Sequence, residues 1–408
     1  MFKKRKIEKV FTPRNDSVNK KMYILRETLE KDLKRKLRGS KHIIMYGDSG
    51  CGKSWLYKKV LDDEKMEYSM INLANAKRLK SITNVFKYAI PEYERYEKTK
   101  YTDITNAEAN IAVVKGKVEH HNMYEIRDED PLRKYINQVN KGKSIIVLDN
   151  LESIFEYPEY MQELGDILTL LDDENYKAKF LIVGVPSGVI EYFNNRNLLK
   201  TVANRLTELS EVKGLDELQV KEFIKKGFIN ELDIHIENDE IDRISKHIYW
   251  ITNGIPQKVQ EYCEKLAYMI EDNAWVYDEA DIEKSDKDIV LDNLHKNYLL
   301  IARMMNSNET NVGRRNQVLY CLGKINKTVF KVSEVETIVR EEFIISTLGK
   351  GLNVRLILNE LADWSNSFIK TQGKEYIITD NQYILCIRMM LLKTQNEKIE
   401  KIDISNIN

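Results

Sequence analysis

The sequence predicts an α/β fold, an αβα sandwich on a mostly parallel sheet, followed by an α-helical unit and a small domain of three helices with a β-hairpin. Three observations predict it. The runs at 42–46, 144–149 and 178–185 are short and largely apolar, and the second, apolar up to its closing acid, reads as a parallel strand covered on both faces would. The stretches between and after them place apolar residues at helical spacing, for example Leu79, Ile82, Val85 and Phe86, and residues 210–270 read as helical. Beyond residue 314 the pattern changes to three helices, two short strands about Gly373-Lys374, and a closing helix.

The first strand runs directly into Gly47-Asp48-Ser49-Gly50-Cys51-Gly52-Lys53-Ser54, and Trp55 continues into a helix. Strand, glycine-rich G-x-x-x-x-G-K-[ST] loop and helix, in that order, make a phosphate-binding loop. Gly47, Gly50 and Gly52 permit positive φ, so backbone N–H groups can turn inward, and the helix N-terminus adds partial positive charge. Lys53 should reach the β- and γ-phosphates, and the Ser54 hydroxyl should coordinate Mg²⁺. ATP and Mg²⁺ are the expected cofactors, although these residues do not separate adenine from guanine.

A strand over 67–73 and a helix over 76–90 come next. Residues 91–130, with Tyr93, Tyr96 and Tyr101, read as an insertion carrying a strand or hairpin at 112–119. His120-His121 lies there without cysteine or carboxylate partners at ligand spacing, as solvated loop residues do. The run Ser144-Ile-Ile-Val-Leu-Asp149 is a Walker B signature whose Asp149 would hold Mg²⁺ through water, opposite Ser54. Asn150 follows, an amide that can position water but cannot accept a proton. Glu152 recovers the role of base if the strand continues far enough to point it at the same face; otherwise it is a surface carboxylate. Slow hydrolysis, in the manner of a switch, is the expectation. A helix over 161–171 precedes the strand 178–185, which ends in Pro186-Ser187.

Across most of the chain this order resembles that of AAA+/STAND P-loop ATPases of the archaeal origin-recognition type. The resemblance implies an αβα P-loop NTPase core, a helical lid, and a winged helix whose position relative to the lid changes with ATP or ADP. Many such proteins carry Glu directly after the Walker B Asp, so Asn150 is a departure. The resemblance makes Ser187 a candidate sensor of the γ-phosphate, although a helix N-cap explains it as well. It makes Arg205, ahead of Arg196, the candidate finger for a neighbouring subunit's nucleotide, a task suited to a permanent charge with planar donors. Gly254-Ile-Pro256-Gln257 resembles the G-x-P-R sensor of the lid, with Gln257 in place of arginine. Lys258 offers a cation one position on, turned by about 100° on a helix; a plain helix break at Gly254-Ile-Pro256 is the alternative. Arg26, entering a basic helix over 27–38, matches a residue lying near the adenine.

The last hundred or so residues read as a winged helix: helices over 314–325, from a Ser333 cap to near 343, and over 353–364, strands within 367–378, and a helix over 381–393. The third helix offers Asn353, Arg355 and Asn359 against Glu360 and Asp363, with better cations at Lys370 and Lys374 on the wing. Duplex DNA through Arg355, Lys370 and Lys374 and a protein partner are both open. The divisions follow: 1–37 N-terminal segment and lead-in helix, 38–209 ATPase core with its insertion near 91–130, 210–290 lid, 291–395 winged helix, 396–408 flexible tail. The function expected is an ATP-binding, slowly hydrolysing switch in a DNA-associated process, with a STAND-like signalling or defence ATPase as the alternative.

Composition constrains partners and compartment. The 64 basic and 64 acidic residues cancel, which excludes a uniformly basic nucleic-acid binder. No apolar stretch approaches a bilayer span, and Met1-Phe-Lys-Lys-Arg-Lys6 lacks the apolar core of a secretory signal, so a cytoplasmic location is expected and no membrane partner. Cys51, Cys263, Cys321 and Cys386 are scattered, as reduced buried thiols would be. A homo-oligomer remains open.

Overall fold

The computed structural model describes residues 6–15, 17–90, 130–139, 145–173, 178–185, 187–195, 200–306, 313–325, 327–365 and 367–404. The chain forms two compact units, one of residues 16–18 and 25–213, the other of 1–15, 19–24 and 214–408.

In the first unit, β1 (His42–Tyr46), β2 (Tyr68–Asn72), β3 (Ile145–Asp149), β4 (Lys179–Gly184) and β5 (Leu206–Glu208) form a sheet in the order β2-β3-β4-β1-β5. Every pairing is parallel. Successive side chains point to opposite faces, which sorts each apolar run into two cores. Ile43, Met45, Val147, Leu181 and Val183 join Leu33, Leu56 and Val60 of the helices Glu27–Arg38 and Lys53–Asp63. Ile44, Ile146, Leu148, Phe180 and Ile182 join Phe86, Ile136, Leu164 and Phe193 of the helices Ile82–Tyr88, Pro131–Val139, Pro158–Asp173 and Val189–Asn194. The apolar runs of the central strands β1, β3 and β4 are what this three-layer αβα sandwich requires.

The helix expected over 76–90 is interrupted. Lys80 takes φ 58°, and Ser81 Oγ then accepts the Asn84 N–H at 3.2 Å as an N-cap. The Glu163 carboxylate accepts the Ile82 and Thr83 N–H groups at 2.7 and 2.9 Å, satisfying donors that a helix start leaves open. A capping acid 81 residues away leaves no trace in local periodicity. The expected hairpin at 112–119 and His120-His121 lie outside the described residues.

The second unit holds the lid helices Glu217–Ile224, Asn238–Thr252, Pro256–Asp272 and Ala280–Asn293, and after them the helix His295–Met304. They lead into the winged-helix order: helix Arg314–Leu322, β6 (Val329–Lys331), helices Val332–Glu342, Ile344–Thr347 and Val354–Trp364, then β7 (Ile369–Gln372) and β8 (Glu375–Ile378). These strands form an antiparallel sheet β6-β8-β7. Ser333 is not the cap of the second winged-helix helix. Lys331 is, its N–H donating to Glu334 Oε2 at 2.7 Å, because β6 runs straight into the helix and leaves Ser333 inside the first turn.

The closing helix also ends early, at Met390 rather than 393, where Leu391 turns extended. β9 (Leu391–Lys393) then pairs antiparallel with β10 (Ile399–Lys401), so the segment from 396 to 404 is not a loose tail. Ile399 and Ile402 are buried, and the Glu397 carboxylate accepts the Ile345 and Ser346 N–H groups at 3.0 and 2.7 Å. One apolar core runs through the unit, including Ile248 and Tyr262 of the lid and Leu319, Leu358 and Ile387 of the winged helix. Arg388 is buried within it. Its Nε donates to Gly323 O at 2.5 Å, an Nη to Trp250 O at 3.0 Å, and burial pushes its pKa down to about 10. All four cysteines are buried free thiols. Among the described residues no helix is long and apolar enough to cross a membrane.

Candidate nucleotide site

Parallel pairing brings the ends of β1, β3 and β4 out at one edge of the sheet, and the sequence-predicted motifs follow those ends. Gly47, Gly50 and Gly52 take φ of 152°, 79° and 85°. At Gly47 space decides as well, because a Cβ there would stand 2.3 Å from Val212 O. Gly52 is the N-cap of the helix Lys53–Asp63, whose start no side chain caps, so its first N–H groups face the loop. Asp48 and Ser49 are exposed, while Ser54 and Trp55 in the first turn are half-buried. Cys51 is buried, and burial, reinforced by Asp48, raises its thiol pKa against Lys53 and Arg26. The thiol is packed in the core with the helix Lys53–Asp63.

Lys53 Nζ donates to Gly47 O at 2.7 Å and to Asp48 O at 2.9 Å. Burial lowers its pKa, while Cys51, Glu152, Asp149 and Asp48 favour the charge. Burial raises the Asp149 carboxyl, with the Asn150 N–H opposing at 2.9 Å from Asp149 Oδ1, and Glu152 adding to the rise.

Immediately after Asp149 the chain leaves the sheet. Asn150 takes φ 63°, and its Nδ2 donates to Asn72 Oδ1 at 2.8 Å, Asn72 being the register neighbour of Asp149 on β2. The strand therefore does not continue to Glu152, which instead opens the short helix Glu152–Phe155. Its carboxylate stays at the sheet edge by another route: Glu152 Oε2 accepts the Val185 N–H at 3.1 Å, beyond the end of β4. From there it influences both Lys53 and Asp149. Asn72 escaped the sequence reading because only strand pairing places it beside Asp149.

The other candidates fall as follows. Ser187 is exposed beyond β4, and Gly188, at φ 77°, is the N-cap of Val189–Asn194, which removes the capping explanation for Ser187. An Nη of Arg205 donates to Thr201 O at 3.1 Å, and Arg205 O accepts the His42 N–H at 2.9 Å. Arg196 lies outside the described residues. An Nη of Arg26 donates to Lys213 O at 2.9 Å. Gln257 and Lys258 belong to the second unit and both engage Glu261, at 2.9 Å each. In that unit a Cβ at Gly254, φ 66°, would stand 1.9 Å from Leu215 O, and Pro256 is the first residue of its helix; the break itself thus accounts for both residues.

Residues 43–211 match the family described as ATPase family associated with various cellular activities (AAA). They form an AAA ATPase domain. Among solved structures, the Walker-type ATPase PABY2304 of Pyrococcus abyssi is similar over 93% of this chain and 99% of its own, at 14% identity and a TM-score of 0.50. The Aeropyrum pernix ORC2 protein covers 95% and 98% at 13% identity with a TM-score of 0.46. The Aeropyrum pernix ORC1 protein, solved in complex with DNA, covers 94% and 96% at 13% identity with a TM-score of 0.46. At such identity the likeness concerns fold alone. No curated protein matches the sequence. The AAA domain binds nucleotide and is an ATPase by family; its matched span includes Lys53, Asp149, Glu152, Ser187 and Arg205, and Lys258 lies beyond it.

Proposed function

We propose that this chain is a cytoplasmic, Mg²⁺-dependent ATP switch of slow turnover whose nucleotide state is transmitted to the lid and winged helix in a DNA-associated process. The observation that carries the reading is the convergence of Lys53, Asp149 and Glu152 at one edge of a parallel sheet, with Lys53 on the loop carbonyls of Gly47 and Asp48 and Glu152 on the Val185 N–H beyond β4. Loop N–H groups from Gly47 to Ser54 bind the phosphates and Lys53 neutralises them. Ser54 and Asp149 supply hydroxyl and carboxylate oxygens, a donor set that fits a hard cation, and Mg²⁺ when bound supplies charge neutralisation at the phosphates. Glu152 takes the proton of the attacking water, and Asn150, steadied by Asn72, orients that water. An amide where a carboxylate would be most direct accounts for slow turnover. Ser187 senses the γ-phosphate, Arg205 serves a neighbouring copy's nucleotide, and Lys258 supplies the cation of the lid.

Exposed Arg355, Lys370 and Lys374 on the third helix and wing support duplex DNA as the ligand, through phosphate contacts. A protein ligand is a second reading, favoured by Ile344, Ile345 and Leu348, which are 65%, 78% and 79% exposed between the second and third winged-helix helices. ATP turnover of the wild type, K53A and E152Q, with and without duplex DNA, tests the proposal. Both variants should lose on the order of 10²-fold or more in turnover, and a salt-sensitive DNA shift should weaken when Lys370 and Lys374 become Gln. Nucleotide-dependent self-association without any DNA shift would reject the DNA reading in favour of the protein one.

A further inference from the structure

Glu152 is exposed, and an exposed carboxylate ordinarily samples several rotamers. A base that samples several directions is a poor one, because catalysis needs its oxygen within hydrogen-bond reach of the water. Here a neighbouring strand restricts it. The Leu151 N–H donates to Val183 O at 3.0 Å, and the Val185 N–H donates to Glu152 Oε2 at 3.1 Å. The Glu152 side chain thereby continues a strand-to-strand ladder that its own main chain left at Asn150.

Gly184 lies between these two bonds, and its lack of a side chain is a matter of space. A Cβ there would stand 2.6 Å from Leu151 Cβ and 3.1 Å from Glu152 Oε2. The support is rigid, since β4 is paired on both sides, Leu148 with Ile182 and Tyr46 with Gly184. Ser187 follows on the same stretch of chain.

We infer that the tip of β4, the gap at Gly184 together with the Val185 amide, is the positioning element that sets the distance and direction of the Glu152 carboxylate for the attacking water. The inference rests on the proposed reading of Glu152 as the base. It assigns to β4 two tasks at one end, holding the base and carrying the candidate γ-phosphate contact at Ser187.

Turnover and nucleotide affinity of the wild type, G184A, V185P, E152Q and the G184A/E152Q double variant test it. G184A should lower kcat by on the order of 10²-fold, the cost of a misplacement of about 1 Å, and leave nucleotide affinity within about twofold. It should cost nothing further in the E152Q background, as for residues acting through one group. V185P replaces the N–H by a ring carbon aimed at Glu152 Oε2 and adds no Cβ at Gly184, follows a residue already in extended conformation, and should reproduce the kcat loss by displacing the carboxylate. Unchanged kcat in G184A and V185P, or losses that add to that of E152Q, overturn the positioning role while a loss in E152Q alone upholds the base. Wild-type kcat in E152Q overturns both. If G184A fails to fold, V185P and its cycle with E152Q decide.

Discussion

Asn150 departs from the expected pattern in both chemistry and backbone. At φ 63° it occupies the left-handed region, where Asn is tolerated and most other side chains cost about 1 kcal/mol or more. That conformation turns the chain off β3 and sends Glu152 toward β4. Asn150→Ala should therefore lower stability by about 1 kcal/mol, and Asn150→Gly by less, measured by chemical denaturation. Equal losses would show that the Asn72 bond, not the backbone, makes the difference. The phosphate loop was legible because all its parts are consecutive from Gly47 to Ser54. The placement of Glu152 was not, because its partner Val185 is 33 residues away and only the β3–β4 neighbourhood joins them.

Among the elements, β4 is pinned at its opposite end too, where Lys179 Nζ donates to Lys36 O at 3.1 Å and Leu37 O at 2.8 Å and so satisfies the last turn of the helix Glu27–Arg38. Any motion of the Glu152 support is then a bend beyond Gly184 and not a slide of the strand, which would carry every β4 side chain to the wrong face. β10 shows the limit of reading elements from composition. Gln395 to Ile402 is mostly charged or polar, and its apolar anchors, Ile399 and Ile402, are too few to announce a strand. Glu397 in this segment is buried, yet its pKa lies below the ordinary value because the Ile345 and Ser346 groups donate to it. A depressed carboxyl stabilises the fold above the unfolded value, near 4.5, and loses that effect as pH falls through the folded one. Glu397→Ala should cost about 2 kcal/mol at neutral pH, and the gap in melting temperature from wild type should close below about pH 4.5. A gap unchanged by acid would assign the loss to packing instead.

For the whole molecule, the parallel sheet and the winged-helix order were legible from periodicity, whereas the union of lid and winged helix was not, since it depends on which helix faces meet. Their junction contains Arg388, whose guanidinium serves carbonyls from both parts and lies 4.9 Å from the Trp250 ring. Arg388→Ala would strand Gly323 O and Trp250 O and should cost about 2–4 kcal/mol. Calorimetry should show lid and winged helix still melting in one transition, shifted down together; two separate transitions in the wild type would contradict a common core. That common core also decides what can be cut away. A fragment beginning near residue 291 would bare the face of the helix Asn381–Met390 that rests on Asn238–Thr252 and Ala280–Asn293, and should precipitate where an ordinary winged helix would dissolve. Whatever the C-terminal domain grips, it cannot be transplanted without the helices that precede it.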